Sequence, residues 1–322
     1  MEIPENLDLA AIDPLLKLPV FIERFDALGS GHVLVVSNDV DSRPLYHLLV
    51  ADRGPDFQWE PLENGPEKWR IRILKSPVKN DEETIGNIIS QDYRKSRALK
   101  NLGIDFSCGG NRTLDQAFAG KEITITHVLR QWETIDQRPS EKGMNFLSWD
   151  MAFLTRYIIQ LHHRYVSTQT KFITELAFKV AESNSHRNPE IKEIAELFAH
   201  TGKIFEEKDQ NEEKVLFPYI IKLSEANTNG ATLKAAGIGP IYIAVSLLQV
   251  ESEKVVAGLL QIRQLTNDYI ASAYTSSTCP ILYKLLAAYE DDALLHLHLE
   301  NNILFPRAIK TENSLRSKNK IS

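Results

Sequence analysis

Two stretches of this 322-residue chain carry side chains suited to holding a metal ion. His296 stands four positions before Glu300 in the run His296-Leu297-His298-Leu299-Glu300-Asn301-Asn302-Ile303-Leu304-Phe305-Pro306. Four positions make about one helical turn, so an imidazole and a carboxylate fall on one face and can address one ion. The same frame occurs upstream as Glu212-Glu213-Lys214-Val215-Leu216-Phe217-Pro218, but there Lys208 stands four positions before the first Glu. A protonated lysine donates hydrogen bonds and accepts none, so it cannot ligate a metal. One copy of the motif is competent for metal, and the other is broken at one residue.

Long amphipathic helices must position these groups. Beyond Gly143, residues 148–182 place Ile158, His162, Tyr165, Val166, Phe172, Ile173, Leu176 and Val180 at three-to-four spacing, with the histidine inside the apolar stripe. Asn188-Pro189 opens a second helix carrying Lys208 and Glu212, Gly239-Pro240 a third carrying Lys254, and Pro280 a fourth carrying His296 and Glu300. Four long helices with short connections predict an up-down bundle. Its inward stripes hold His162, Lys208, Glu212, Lys254, His296 and Glu300. Such groups are costly inside an apolar stripe unless paired or metal-bound, so the six are expected to meet near the bundle centre.

Ahead of the bundle the pattern is shorter and mixed. Residues 1–77 read as a small two-layer α/β domain: helices near 21–28 and 44–51, and strands at 32–37, 57–61 and 68–74. Residues 78–140 read as a short helical segment, with a helix over 84–102, a tight turn at 103–110 and further helices at 114–119 and 125–135. Residues 141–312 form the bundle and 313–322 a flexible tail, giving an α+β multidomain fold. Within the turn, Cys108 precedes Gly109-Gly110 and a helix start, a setting that can lower a thiol pKa, which makes it a candidate reactive thiol.

The bulk numbers exclude several classes. A net charge of −6, with basic residues gathered only at Lys310, Arg316, Lys318 and Lys320, argues against a nucleic-acid footprint. Two cysteines, Cys108 and Cys279, allow neither a disulfide framework nor a four-cysteine zinc site. Neither a secretory signal nor an apolar run of membrane-spanning length is present, so a cytoplasmic location is expected. No Gly-rich phosphate loop follows a strand, and no Gly-x-Ser-x-Gly occurs.

The quoted motifs, together with Leu161-His162-His163-Arg164-Tyr165, Cys279-Pro280 and Gly103-Ile104-Asp105-Phe106-Ser107-Cys108-Gly109-Gly110, resemble a known family. The last 180 or so positions look like a hemerythrin-type His-His-Glu cation-binding bundle and, more narrowly, like the iron-sulfur cluster repair di-iron proteins. The first segment resembles a sulfur-carrier-like α/β domain sometimes fused ahead of them. The resemblance implies iron as cofactor, a link to nitrosative and oxidative stress, iron-sulfur proteins as partners and a homodimer. The charge and the apolar pattern, by contrast, are what lead to the expectation of no nucleic-acid and no membrane partner.

Carried over by position, the family's metal ligands match His162, Glu212, His296 and Glu300. Three histidine positions read Ser183, Lys208 and Lys254 instead, with His186 three residues beyond the first. The family's double cysteine reads Ser107-Cys108, and its Asn-Asp-His-Asp-Pro stretch reads Asn38-Asp39-Val40-Asp41-Ser42. The surviving ligands would serve one iron of a pair and the missing ones the other. Two expectations follow: one ion held by two His and two Glu, with Lys208 and Lys254 neutralising Glu212 and Glu300 where the second would sit, or a metal-free regulatory relative whose core is held by Lys-Glu pairs. Outward-pointing lysines are the remaining possibility for the vacated position.

Overall fold

The computed structural model describes residues 4–14, 16–29, 31–53, 57–66, 68–75, 83–120, 125–138, 143–184, 190–229, 240–270 and 278–319. The chain divides into two compact units, the first built on residues up to Glu83 and the second on residues from Thr84 onward, with Tyr242–Val250 grouping with the first. His186, residues 76–82 of the first connection and the last three residues lie outside the described set.

In the first unit a four-stranded sheet has the order β1-β2-β4-β3, where β1 is Glu5–Asp8, β2 Val33–Asn38, β3 Phe57–Asn64 and β4 Trp69–Lys75. β1 runs parallel to β2, and the other two pairings are antiparallel. The register sets Leu34 against Ile73 and Val36 against Ile71, so alternate residues of both strands point into one core. Helices α1 (Lys17–Ala27) and α2 (Arg43–Arg53) supply Phe21, Phe25 and Leu49 to that core. β1 has no counterpart in the sequence reading, because Leu7 is its single buried residue and four residues show too little alternation.

The second unit opens with α3 (Ile85–Gln91), a 3-10 turn (Tyr93–Lys95) and α4 (Ser96–Asn101), where one helix over 84–102 was expected. Asp92 makes the break: its extended backbone stops α3, and its carboxylate accepts from the Arg94 backbone N–H at 3.1 Å. Gly103 ends α4 at φ +63°, and Thr113 with Gln116 forms a capping box for α5 (Leu114–Phe118). Ile85, Ile89, Leu99, Phe106, Phe118, Val128 and Trp132, the last two from α6 (Ile125–Asp136), share a core with Leu294 of the fourth long helix.

Four helical rods follow. The first is α7 (Met151–Tyr157), a π-turn (Ile158–His163) and α8 (Arg164–Asn184); the second is α9 (Glu190–Asn211), a π-turn (Glu212–Leu216) and α10 (Phe217–Asn229). The third is α11 (Ile241–Leu265), and the fourth is α12 (Cys279–His298), a π-turn (Leu299–Leu304) and α13 (Phe305–Asn319). Ile173, Ile194, Phe198, Phe205, Leu259, Leu286 and Tyr289 join the rods in one apolar core. α13 continues to Asn319, into the stretch read as a tail. Leu315 is buried there, and Glu312 ties the helix down by accepting from Tyr219 Oη at 2.6 Å and from the Ile241 backbone N–H at 3.1 Å. Among the described residues no helix is long and apolar enough to cross a membrane.

Candidate metal centre

The three π-turns lie where the chemistry is. Each closes i→i+5 hydrogen bonds and so inserts extra chain into an α-helical frame, re-aiming the side chains around it. Glu212 opens the second turn, Glu300 is the second residue of the third, and His162 and His163 close the first. Lys208 and His296 sit four positions before the two glutamates, in regular α-helix.

His163, Glu212, His296 and Glu300 each offer a ligand atom, and the four atoms lie within 4.8 Å of one another. All four residues are buried, Glu212, His296 and Glu300 completely. Lys208 stands between the carboxylates, its Nζ 2.7 Å from Glu212 Oε1 and donating to Glu300 Oε2 at 2.6 Å. The other oxygen of each carboxylate faces the imidazoles. Glu300 Oε1 is 2.9 Å from His296 Nε2, and His163 Nε2 is 3.6 Å from both Glu300 Oε1 and Glu212 Oε2. Each glutamate is thus shared between an ammonium on one side and imidazole nitrogens on the other.

The imidazoles are held from behind. His163 Nδ1 donates to Glu213 Oε1 at 2.9 Å, which fixes the tautomer and leaves Nε2 free to present a lone pair inward. Phe217 stacks on His163 with centroids 5.2 Å apart, and Phe205 on His296 at 5.0 Å. His163 Nε2, His296 Nδ1 and, apart from the Lys208 ion pair, both Glu212 oxygens are buried without a hydrogen-bond partner. Candidate ligand atoms converging from three rods, with a second layer orienting one imidazole, suit a divalent transition metal.

Burial dominates the electrostatics. It pushes the Glu212 carboxyl well above its usual range, with the Glu300 charge adding to the effect and Lys208 opposing it. Burial also works against ionisation of Glu300, yet His296 and Lys208 hold that carboxyl well below its usual range. Burial opposes the Lys208 charge too, and Glu212, Glu300 and Asp209 overcome it, so the ammonium persists. His163 is raised, because its contacts with Glu300 and Asp209 outweigh burial, whereas burial takes His296 down to about 3.

Not every residue singled out from sequence reaches this cluster. His163, not His162, points into it, because the π-turn shifts the frame by which an unbroken α-helix would aim His162. His162 is buried alongside, its Nδ1 donating to Asp292 Oδ1 at 2.9 Å and its ring stacked on His296 at 5.4 Å. Lys208 occupies the position between the glutamates, but Lys254 does not join it: that side chain is 41% exposed and donates to Glu251 at 2.8 Å on the surface of α11. Ser183 is also exposed, donating to the carbonyl of Lys179. Sequence reasoning missed His163, Asp209 and Glu213; the doubled histidine was a visible signal for the first, while the other two look like ordinary helix-surface acids.

Cys108 lies in a turn organised by Asp105, whose Oδ1 accepts from the Ser107 and Cys108 backbone N–H groups at 2.8 and 3.0 Å. Burial, then the charges of Asp105 and Glu253, push its thiol well above the usual value, so this setting does not favour the thiolate expected of a reactive cysteine. The turn seats on the third π-turn. Asn302 Nδ2 donates to the carbonyls of Phe106 and Ser107 at 3.0 and 3.2 Å, and Asn301 Nδ2 reaches Cys108 Sγ at 3.6 Å.

Comparison with known proteins finds relatives of both parts of the chain. Residues 6–75 match a family described as an uncharacterized conserved protein (DUF2249), and residues 81–136 match one described as a domain of unknown function (DUF542), designated ScdA_N. The iron-sulfur cluster repair protein YtfE of Pectobacterium atrosepticum is 25% identical over 231 residues, covering 72% of this chain and 98% of that protein. The iron-sulfur cluster repair protein ScdA of Staphylococcus epidermidis is 25% identical over 228 residues (70% and 97%), and the YtfE protein of Escherichia coli O8 is 26% identical over 236 residues (72% and 98%). On these matches, the chain is a homologue of the iron-sulfur cluster repair proteins.

Proposed function

We propose that this protein acts in iron-sulfur cluster repair of the kind its relatives are named for, through one iron ion held by His163, Glu212, His296 and Glu300. The observation that carries this reading is the division of each glutamate between two sides, with Lys208 on one and the imidazoles on the other. The ammonium stands in for a second cation, and the imidazole side has the softer nitrogen ligands that iron accepts. A bound iron supplies redox and Lewis-acid chemistry. The chain's own residues orient the ligands through Glu213, Phe205 and Phe217 and exclude bulk water by burying the site. A cytoplasmic setting, iron-sulfur proteins as partners, self-association and a role under nitrosative or oxidative stress belong to the same reading.

The second reading is a metal-free regulatory relative, favoured by the close Lys208 contacts to both glutamates. Elemental analysis of the full chain expressed in iron-supplemented medium separates the two. One iron per chain supports the proposal. None points to the metal-free form, and two would show that Lys208 does not replace an ion. An optical change of the iron-loaded protein under nitric oxide tests the stress chemistry separately.

A further inference from the structure

Asp209 follows Lys208 in α9 and is 4% exposed, and neither of its carboxylate oxygens has a hydrogen-bond partner. Adjacent helical residues point in different directions, so Asp209 reaches the cluster from another side than Lys208. Its Oδ1 lies 3.9 Å from His163 Nε2, 4.0 Å from His296 Nε2 and 3.9 Å from Lys208 Nζ. One oxygen therefore faces both imidazole nitrogens and the ammonium, and touches none of them. Two ligand atoms each ~2.1 Å from one ion can lie as much as ~4.2 Å apart, and both Asp209–imidazole separations fall inside that span.

Charge points the same way. When all three are deprotonated, as ligation requires, Asp209, Glu212 and Glu300 bring three negative charges to a buried volume and Lys208 returns one positive charge, leaving two for an ion to compensate. An uncompensated buried carboxylate is unfavourable, and one divalent cation restores neutrality where two would overshoot it. Counting Lys208 and the two glutamates alone leaves a single negative charge, which matches no divalent ion. Asp209 completes the balance.

We propose that Asp209 is a third carboxylate ligand, so that His163, Asp209, Glu212, His296 and Glu300 enclose one divalent transition-metal ion with Lys208 as a permanent neighbouring cation. This rests on the single-ion reading above and adds to it a ligand that the surviving histidine-glutamate motif does not contain.

The test is a titration of the chelator-stripped full chain with Co(II), followed by its d–d absorption, for the wild type, Asp209→Asn and Glu300→Gln. The expected result is one Co(II) per wild-type chain, an affinity at least about tenfold lower in Asp209→Asn and an altered spectrum. Tenfold is the low end for losing even an outer-shell partner. If Asp209→Asn keeps wild-type affinity and spectrum while Glu300→Gln loses binding, the Asp209 assignment falls and the single-ion reading stands. If the wild type binds nothing, both fall. Should Asp209→Asn fail to fold, anomalous diffraction from Co(II)-loaded wild-type crystals decides: an Asp209 oxygen about 2.0–2.2 Å from the ion supports the assignment, and one beyond about 3 Å overturns it.

Discussion

At the scale of single residues, Lys208 shapes the centre most. It is 1% exposed, and its ammonium pairs with two fully buried glutamates, which would otherwise repel each other. Removing one partner of a buried ion network leaves uncompensated charge, which costs far more than the pair contributes when intact. Lys208→Met should therefore lower the unfolding free energy of the chelated protein by about 3–5 kcal/mol in urea titrations. A change under about 1 kcal/mol would mean that the glutamates rearrange or take up protons at little cost. Glu213 acts from behind, its carboxylate accepting from His163 Nδ1. Glu213→Ala should leave the fold intact by circular dichroism and weaken metal binding by about 10–100-fold, the usual effect of an outer-shell partner. Unchanged affinity would show that Phe217 stacking suffices to aim the ring.

At the scale of elements, the π-turns and the close approach of two glycines organise the site. Gly86 N donates to the Gly110 carbonyl at 2.6 Å, and a Cβ on Gly86 would fall 2.9 Å from that carbonyl oxygen and 2.6 Å from Asn302 Oδ1. The Asn302 amide can shift, but the backbone carbonyl cannot do so cheaply. Gly86→Ala should cost about 1–3 kcal/mol, as overpacking does, and should loosen the Cys108 turn against the third π-turn. Denaturant melts and amide exchange at Phe106–Cys108 would read both effects. A near-neutral result would locate the docking energy in the apolar core around Ile85, Phe106 and Leu294 instead. The π-turns also explain what was hidden in the sequence. The long helices were legible from their three-to-four spacing and from the prolines that open them. Spacing arguments assume one hydrogen-bond frame throughout, however, and a π-turn breaks that frame without any residue-type signature of its own. That is why the stripe through Ile158 nominated His162 although His163 faces the glutamates. Lys254 was misassigned for a different reason: α11 offers it a solvated partner, Glu251, at i−3, and an exposed pair costs far less than burying a second ammonium.

At the scale of the whole molecule, the candidate ligands all belong to the second unit, so metal and stability should be linked there alone. A ligand that binds only the folded state at 100 times its Kd adds about 2.7 kcal/mol of stability. Calorimetry of the stripped and metal-loaded full chain should show the second unit's transition moving up on loading, with the transition of the β1–β4 unit unmoved. A shift of both transitions would mean that the two units unfold cooperatively.

The amino-acid sequence by itself determined the class of the fold, the four long helices, the kinship with the repair proteins and the fact that Lys208 stands in one copy of a motif where His296 stands in the other. Those features follow from local periodicity, capping chemistry and residue identity, which act over one or two turns. Only the tertiary structure decided that His163 is the inward histidine, that Lys208 stands between the glutamates while Lys254 stays in water, and that Asp209 faces both imidazoles without a hydrogen bond. Those outcomes depend on how π-turns rotate whole rods and on which charges share one buried volume, and neither is a property of any single stretch of chain.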